Sequence, residues 1–175
     1  MVREIHWANC AHGFIIGNHE IGRGNRQFSS AHLFALVPGL KIFDQPEYFD
    51  VGNNTTLCLL PYILEQDRLS ISDYFPDDGS NKVIFSHNDI KGIQMGKFLS
   101  QTGFDIADIE NNCMLFLNGH LHNGCELAPG VINLGNLTGQ NFSEDATKYN
   151  HSICIVDTDT FNIEYIENPY AFNFY

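Results

Sequence analysis

The 175-residue chain is poor in cationic side chains: nine Lys and Arg stand against 21 Asp and Glu, a formal net charge of −12. The electrostatic field of such a surface does not attract nucleic acid or anionic membranes. Phosphate chemistry here would therefore need a local positive charge, such as a bound metal ion. The chain also lacks an apolar run of the roughly 20 residues that span a membrane, and its start has no signal-peptide pattern. We therefore expect a cytoplasmic protein with no membrane partner.

Paired cysteine motifs are also missing. The five cysteines are scattered, odd in number and without a C-x-x-C pair, which favours free thiols in a reducing compartment. Hydrophobic residues make up 43% of the chain and charged residues only 17%, a composition typical of a globular protein. The length suits a single domain over residues 1–175.

Short apolar runs bounded by turn residues predict more strand than helix. This pattern favours a mixed α/β (α+β), strand-rich fold with a substantial sheet, and uniformly apolar strands favour a sheet covered on both faces. The predicted strands are Gly13–Ile16, Thr56–Leu60, Lys82–Ser86, Cys113–Leu117, His151–Val156 and Thr160–Ile166, the last two joined by a turn at 157–159. The predicted helices are Ala31–Val37, Leu64–Tyr74 and Phe104–Ile109.

Three histidine-bearing segments come directly after predicted strands. In open α/β sheets, ligands bind beyond the carboxyl ends of the strands, so we expect the three segments to converge on one site. They are Gly17-Asn18-His19-Glu20, Ser86-His87-Asn88-Asp89 and Gly119-His120-Leu121-His122-Asn123-Gly124.

The chemistry of these segments fits a divalent metal. Imidazole suits zinc, iron, nickel and copper, whereas oxygen donors such as the Asn18 amide favour manganese and magnesium. His120 and His122 lie two residues apart, and in an extended segment they would point to the same side. They would then bind one metal together or two neighbouring metals separately.

Each segment taken alone has a structural interpretation as well. An Asn-His or Ser-His pair at a strand end is usually a turn with a hydrogen-bonded histidine. We interpret His32 as a helix-surface residue and His151 as the start of a strand, and leave His6 and His12 open.

Taken together and in this order, the three segments resemble the calcineurin-like metallophosphoesterase superfamily. Their surroundings, including the turn at 133–137 and the ending at 165–170, resemble its branch of DNA double-strand-break repair exonucleases and their phage relatives. The superfamily's D-x-H and G-D-x-x-[DN] motifs do not occur here. The resemblance therefore implies the C-terminal part of the family's αββα sandwich, with the N-terminal βα units missing.

The resemblance also implies roles for individual residues. Asn18, His87 and His120 would hold one metal of a dinuclear pair, and His122 would bind the other. His19 would be the catalytic acid that protonates the leaving oxygen, or the group that stabilises the charge on the phosphorane-like transition state. The implied cofactor is manganese, with zinc, iron, magnesium or nickel as alternatives, and the implied substrate is a phosphate ester or DNA.

Three interpretations of function follow. The first is a metal-dependent phosphoesterase of the phosphodiesterase or exonuclease type, incomplete in this chain. The second is an inactive, truncated remnant that keeps a partial metal site and acts as a binding or oligomerising module. The third is an unrelated metal-binding or β-rich interaction domain.

The same reasoning predicts a homodimer. With the neighbouring strands missing, the strand Gly13–Ile16 would present an exposed apolar edge, which is a template for pairing with another chain. We expect a two-fold dimer formed through the N-terminal region.

Overall fold

A six-stranded mixed sheet forms the centre of the protein in a computed structural model that describes residues 12–22, 25–95, 98–140 and 151–172. The strands are β1 (His12–Ile15), β2 (Ile21–Gly22), β3 (Asn25–Ser29), β4 (Leu40–Phe43), β5 (Glu47–Gly52), β6 (Thr55–Leu60), β7 (Asn81–Ser86), β8 (Gln94–Met95), β9 (Phe98–Leu99), β10 (Leu115–Asn118), β11 (Cys125–Ala128), β12 (Val131–Asn133), β13 (Ser152–Val156) and β14 (Ile163–Glu167). The helices in these described ranges are four 3-10 helices, Asn18–Glu20, Ser30–Leu36, Glu65–Asp67 and Ile71–Asp73, and α1 (Ile106–Asn112).

The carboxyl ends of the central strands lie in one row. The sheet order is β11-β12-β10-β7-β6-β5, and the four inner strands are parallel to one another. The register pairs Leu60 with Ser86, Ser86 with Asn118, and Asn118 with Asn133, and each of these residues is the last of its strand. The segments that follow these strands therefore leave the sheet side by side, at one edge.

Apolar side chains alternate between the two faces of this sheet. On one face, Cys58, Ile84 and Phe116 belong to the largest buried cluster, which also takes in the segments after β6 and β7 and helix α1. On the other face, Val83 and Leu117 belong to a second cluster. This arrangement confirms the expectation of a strand-rich, mixed α/β fold with a sheet covered on both faces.

Two small sheets cover that second face. β1 pairs with β4 in parallel, and β13 pairs with β14 as an antiparallel hairpin. The side chains of both small sheets pack with Leu57 and Phe85 of the central sheet. The homodimer through the N-terminal region remains a prediction, because residues 1–11 lie outside the described part of the chain.

The predicted strands are confirmed with small changes of boundary, and so is the turn at 157–159, but the helices differ. The predicted helix Leu64–Tyr74 is wrong: two 3-10 turns stand in its place. The carboxylate of Asp108 accepts hydrogen bonds from Ser70 Oγ at 2.6 Å and from Ile71 N at 2.9 Å, which starts a new turn there. Such side-chain bonds to the backbone compete with a continuous helix.

The other two predicted helices are present in altered form. Residues 30–36 form a 3-10 helix, capped by Ser29 Oγ, which accepts from Ala31 N at 3.1 Å. The helix predicted from Phe104 begins at Ile106, since Phe104 bridges to Ile90 in an extended conformation. No helix in the described ranges is both long and apolar enough to cross a membrane.

Three buried asparagines join the ends of the parallel strands. Asn118 Oδ1 accepts from Asn88 N at 2.8 Å, and Asn118 Nδ2 donates to Asn88 O at 2.9 Å and to Asn133 Oδ1 at 3.3 Å. All three side chains are almost completely shielded from solvent. Buried amides need such partners, and here they find them in one another and in neighbouring backbone.

The outer members of this network hold the loops that leave the sheet. Asn133 accepts from Leu121 N at 3.1 Å and donates to the carbonyl oxygens of Leu121 and Asn123 at 2.8 and 3.0 Å. Asn88 Oδ1 accepts from Ile63 N at 2.7 Å. The network thus fixes the three segments that follow β6, β7 and β10.

We predict that Asn118→Ala lowers the free energy of unfolding by about 2–4 kcal/mol, because each buried group left without a partner costs about 1–3 kcal/mol. Asn111→Ala, which removes an exposed asparagine of α1, is the matched control and should change it by less than about 0.5 kcal/mol. Urea denaturation of both variants measures the difference. Equal midpoints would contradict the structural role of the network.

Candidate functional site

The three predicted histidine segments meet at the row of strand ends. Asn18 follows β1, whose end is tied to the segment after β6 by a hydrogen bond from Tyr62 N to Ile16 O at 2.8 Å. His87 follows β7, and His120 follows β10. The sheet topology therefore brings together residues that are separated by up to 102 positions in the sequence, from 18 to 120.

The three residues predicted to hold one metal are neighbours. Asn18 Oδ1 lies 3.2 Å from His87 Nε2. The rings of His87 and His120 meet edge to face, with their centres 5.2 Å apart and their planes at 77°. Two atoms that each bind one metal at about 2.1 Å are separated by about 3 Å when their bonds are perpendicular, so the first distance is compatible with a shared ion.

Gly17 allows His87 to approach Asn18 this closely. A Cβ at Gly17 would lie 2.9 Å from two atoms of the His87 ring and 2.8 Å from Glu20 Oε2. Glu20 accepts a hydrogen bond from Gly17 N at 2.9 Å, which closes the turn that carries Asn18. A side chain at this position would displace either the imidazole or the carboxylate.

Burial lowers the pKa of His87 to about 4, and the neighbouring His120 and His19 add to this effect. His122 also lowers the pKa, whereas the carboxylate of Asp89 raises it. The ring of His87 is therefore neutral near pH 7, which is the state in which imidazole binds metals.

Asp89 joins His120 to two further side chains. His120 Nε2 lies 2.9 Å from Asp89 Oδ1, and Tyr62 donates its hydroxyl proton to Asp89 Oδ2 at 2.8 Å. Arg68 Nη2 lies 3.7 Å from the same oxygen. The hydrogen bond from His120 is the main cause that lowers the pKa of Asp89, and burial followed by the bond to Asp89 raises the pKa of Tyr62 to about 12.

The other ring nitrogen of His120, Nδ1, is buried and has no hydrogen-bond partner among the described residues. A buried polar atom of this kind requires an explanation, and a metal ion supplies one. Together with Asn18 Oδ1 and the neutral ring of His87, it forms a set of three uncharged donors. These residues fit one divalent ion of the manganese or zinc type.

The described residues contain no group of three or more His, Cys, Asp or Glu side chains that could hold a metal ion. The candidate site has two imidazoles and one amide, which is a smaller set than the dinuclear centre implied by the resemblance. The nearby carboxylates of Glu20 and Asp89 are engaged with Gly17 and His120.

The expectation that His120 and His122 lie in an extended segment is wrong. Residues 120–123 form a bend, because Asn133 binds the backbone of Leu121 and Asn123. His122 is half-buried and close enough to affect His87, and His19 is exposed on its 3-10 helix.

Sequence reasoning assigned no role to Asp89, Tyr62 or Arg68. Asp89 belongs to the second histidine segment, but nothing in the sequence indicates that it pairs with His120. Tyr62 lies two residues after the end of β6, but the segment there contains no histidine, so the sequence does not indicate a site. Nothing in the spacing indicates Arg68.

The remaining histidines and cysteines of the described ranges have structural roles or lie away from the candidate site. His32 pairs with Asp44 at 3.1 Å on the surface, and buried His151 Nδ1 lies 2.9 Å from Asn136 O, as the structural interpretation expects. His12 is exposed at the start of β1. Four cysteines are free thiols, and burial raises the pKa of two of them, Cys58 and Cys113, to about 12. His6 and Cys10 lie outside the described residues.

Comparison with known proteins provides no assignment: no protein-family model matches the chain, and no curated protein matches it in sequence. The interpretation of the site therefore depends on its geometry and on the resemblance of its motifs.

The depressed pKa of His87 predicts a pH dependence of stability in the metal-free protein. Between pH 6.5 and 4, the unfolded chain binds a proton at this ring and the folded chain does not, so the free energy of unfolding falls as the pH is lowered. The loss is at most about 3 kcal/mol, and it is absent above pH 6.5.

Urea denaturation at pH 7, 5.5 and 4 measures this effect. His87→Gln should remove it, whereas the control His32→Gln, at an exposed histidine, should retain it. Identical pH profiles for the wild type and His87→Gln would show that the ring is not held in its neutral form.

Proposed function

We propose that this chain is a metal-dependent phosphoesterase domain of the phosphodiesterase or exonuclease type, with its metal held by Asn18, His87 and His120. One observation carries the proposal: the three motifs that resemble the calcineurin-like metallophosphoesterases meet at one edge of the sheet. There Asn18 Oδ1 lies 3.2 Å from His87 Nε2, the rings of His87 and His120 meet edge to face, and His120 Nδ1 is buried without a hydrogen-bond partner among the described residues.

The layers of the fold support the same proposal. The central sheet carries two small sheets on one face, while α1 and 3-10 turns cover the other. We interpret this arrangement as part of an αββα sandwich. The candidate site lies at the carboxyl ends of the parallel strands, where such sheets bind their ligands.

The donor set suits phosphate recognition on an acidic protein. A divalent ion bound there supplies Lewis-acid polarisation of the phosphoryl group. Because Asn18, His87 and His120 are uncharged donors when they bind, they leave the charge of the ion uncompensated. This creates a local positive region on a chain whose net charge is −12.

His19 is the residue we assign to proton transfer. It is exposed beside Asn18 and close enough to His87 to lower the pKa of that ring. In the proposed reaction, its imidazole would give a proton to the oxygen that leaves the phosphorus. His122, on the bend after β10, would be the ligand of a second ion, which we expect this chain alone not to retain.

A second candidate function is a binding module that keeps the metal but hydrolyses little. It is favoured by the fact that Glu20 and Asp89, the carboxylates placed beside the donors, are already hydrogen-bonded to Gly17 and His120. No described carboxylate is thus placed to bridge two ions. We therefore expect the chain alone to turn over phosphodiesters slowly.

We predict that the chain binds fewer than two Mn²⁺ ions and that binding raises its melting temperature. A free metal concentration 100 times the dissociation constant stabilises the folded state by about 2.7 kcal/mol. His87→Gln and His120→Gln should abolish the shift, and His32→Gln should leave it unchanged. Calorimetric titration and thermal melting measure both effects. No bound metal after loading with Mn²⁺ or Zn²⁺, with an unchanged melting temperature, would contradict the proposal.

We predict slow hydrolysis of a thymidine dinucleotide by the Mn²⁺-loaded chain. The alkoxide that leaves the phosphorus in this substrate needs a proton, so His19→Ala should lower the residual rate by about 100-fold or more, within the range expected for loss of a general acid, while the dissociation constant for Mn²⁺ stays the same. Chromatography of the thymidine products measures the rate, and His32→Ala serves as the control. Rapid turnover that His19→Ala leaves unchanged would disprove the role of His19.

A further inference from the structure

The two ring nitrogens of His120 have different surroundings. Nε2 lies 2.9 Å from Asp89 Oδ1, whereas Nδ1 is buried without a hydrogen-bond partner among the residues that the structure describes. An ionised carboxylate only accepts hydrogen bonds, so Nε2 carries the proton in the neutral ring and Nδ1 keeps its lone pair. The tautomer of His120 is therefore set by Asp89.

Asp89 itself is held on its other oxygen. Tyr62 donates to Oδ2 at 2.8 Å, and Arg68 Nη2 lies 3.7 Å from it. Its backbone is fixed as well, because the carbonyl oxygen of Asp89 accepts from Phe104 N at 3.0 Å. The side chains of Asp89 and His120 are only 17% and 10% exposed, so little water competes for these bonds.

Arg68 is buried beside this pair and has further partners. Its side chain is 6% exposed, and its Nη2 also donates to Ile63 O at 2.9 Å. The guanidinium lies over the ring of Phe104, 5.1 Å from its centre, and forms an ion pair with Glu65. The cation thus stays beside the Asp89 carboxylate and keeps it oriented towards His120.

The geometry points to Asp89 as the residue that positions His120 for metal binding, by accepting the Nε2 proton and presenting Nδ1 to the ion. This inference rests on the proposed function, in which His120 is a metal ligand. Histidine ligands commonly donate their other ring N–H to a carboxylate, which fixes the ring orientation and makes the ligand more basic. Asp89 acts through His120, so it is a positioning residue and not a catalytic one.

The test compares two aspartates that each pair with a histidine. Asp89→Asn keeps the size of the side chain but removes the charge that orients His120. Asp44→Asn makes the same change at the half-exposed pair of Asp44 and His32, whose atoms are 3.1 Å apart. In calorimetric titrations of the full chain with Mn²⁺, Asp89→Asn should weaken binding by about 10–100-fold. Asp44→Asn should bind as the wild type does.

Two further measurements test the inference even if Asp89→Asn fails to fold. Tyr62→Phe leaves Asp89 and His120 in place and removes one hydrogen bond to Oδ2, so it should weaken Mn²⁺ binding by a smaller, several-fold factor. Nitrogen-15 NMR of the metal-free wild type should show His120 protonated on Nε2 and not on Nδ1. A purely structural role for Asp89 would change stability without changing metal affinity among the folded variants.

The outcomes separate this inference from the proposed function. If the wild type binds Mn²⁺ and folded Asp89→Asn binds it equally well, the positioning role is wrong and the metal site stands. If the wild type binds no Mn²⁺, the proposed function fails, and the NMR spectrum alone decides the tautomer. His120 protonated on Nδ1 would then overturn the positioning role as well.

Discussion

The buried hydrogen bonds among Asn88, Asn118 and Asn133 are the constraint on which the candidate site depends. They lie at the ends of three neighbouring parallel strands, where the backbone leaves the sheet and loses its ladder partners. By satisfying those backbone groups, the amides hold the segments that carry His87 and His120 in one arrangement. An apolar residue at any of the three positions would leave buried donors and acceptors without partners.

Electrostatics explains why this arrangement suits a cation. The chain carries a charge of −12, yet the donors that meet at the strand ends are an amide and two imidazoles. The carboxylate of Asp89 is directed at His120 and is balanced by Arg68. In the proposed metal site, the ligands are therefore neutral, and the nearest negative charge, on Asp89, is paired with His120 and Arg68.

The sequence predicts three of the four parallel strands of the central sheet, β6, β7 and β10, because each is a mostly apolar run, but it does not predict the short strand β12. It also predicts that Asn18, His87 and His120 converge, but the shared edge explains this only for His87 and His120. Asn18 follows β1 of a separate small sheet, whose end is tied to the segment after β6 by the bond from Tyr62 N to Ile16 O. The sequence does not predict the pairing of His120 with Asp89, which depends on the bend at 120–123, nor the role of Arg68, which is set by burial against Phe104. The helix expected at 64–74 fails because Asp108, distant in sequence, caps a new turn at Ser70.

The most direct test of the metal site is anomalous diffraction from crystals of the chain loaded with Mn²⁺. The account predicts a manganese peak about 2.0–2.3 Å from Asn18 Oδ1, His87 Nε2 and His120 Nδ1, with His120 Nε2 still hydrogen-bonded to Asp89. Manganese bound elsewhere, or bound through His120 Nε2 after the ring has turned away from Asp89, would contradict it.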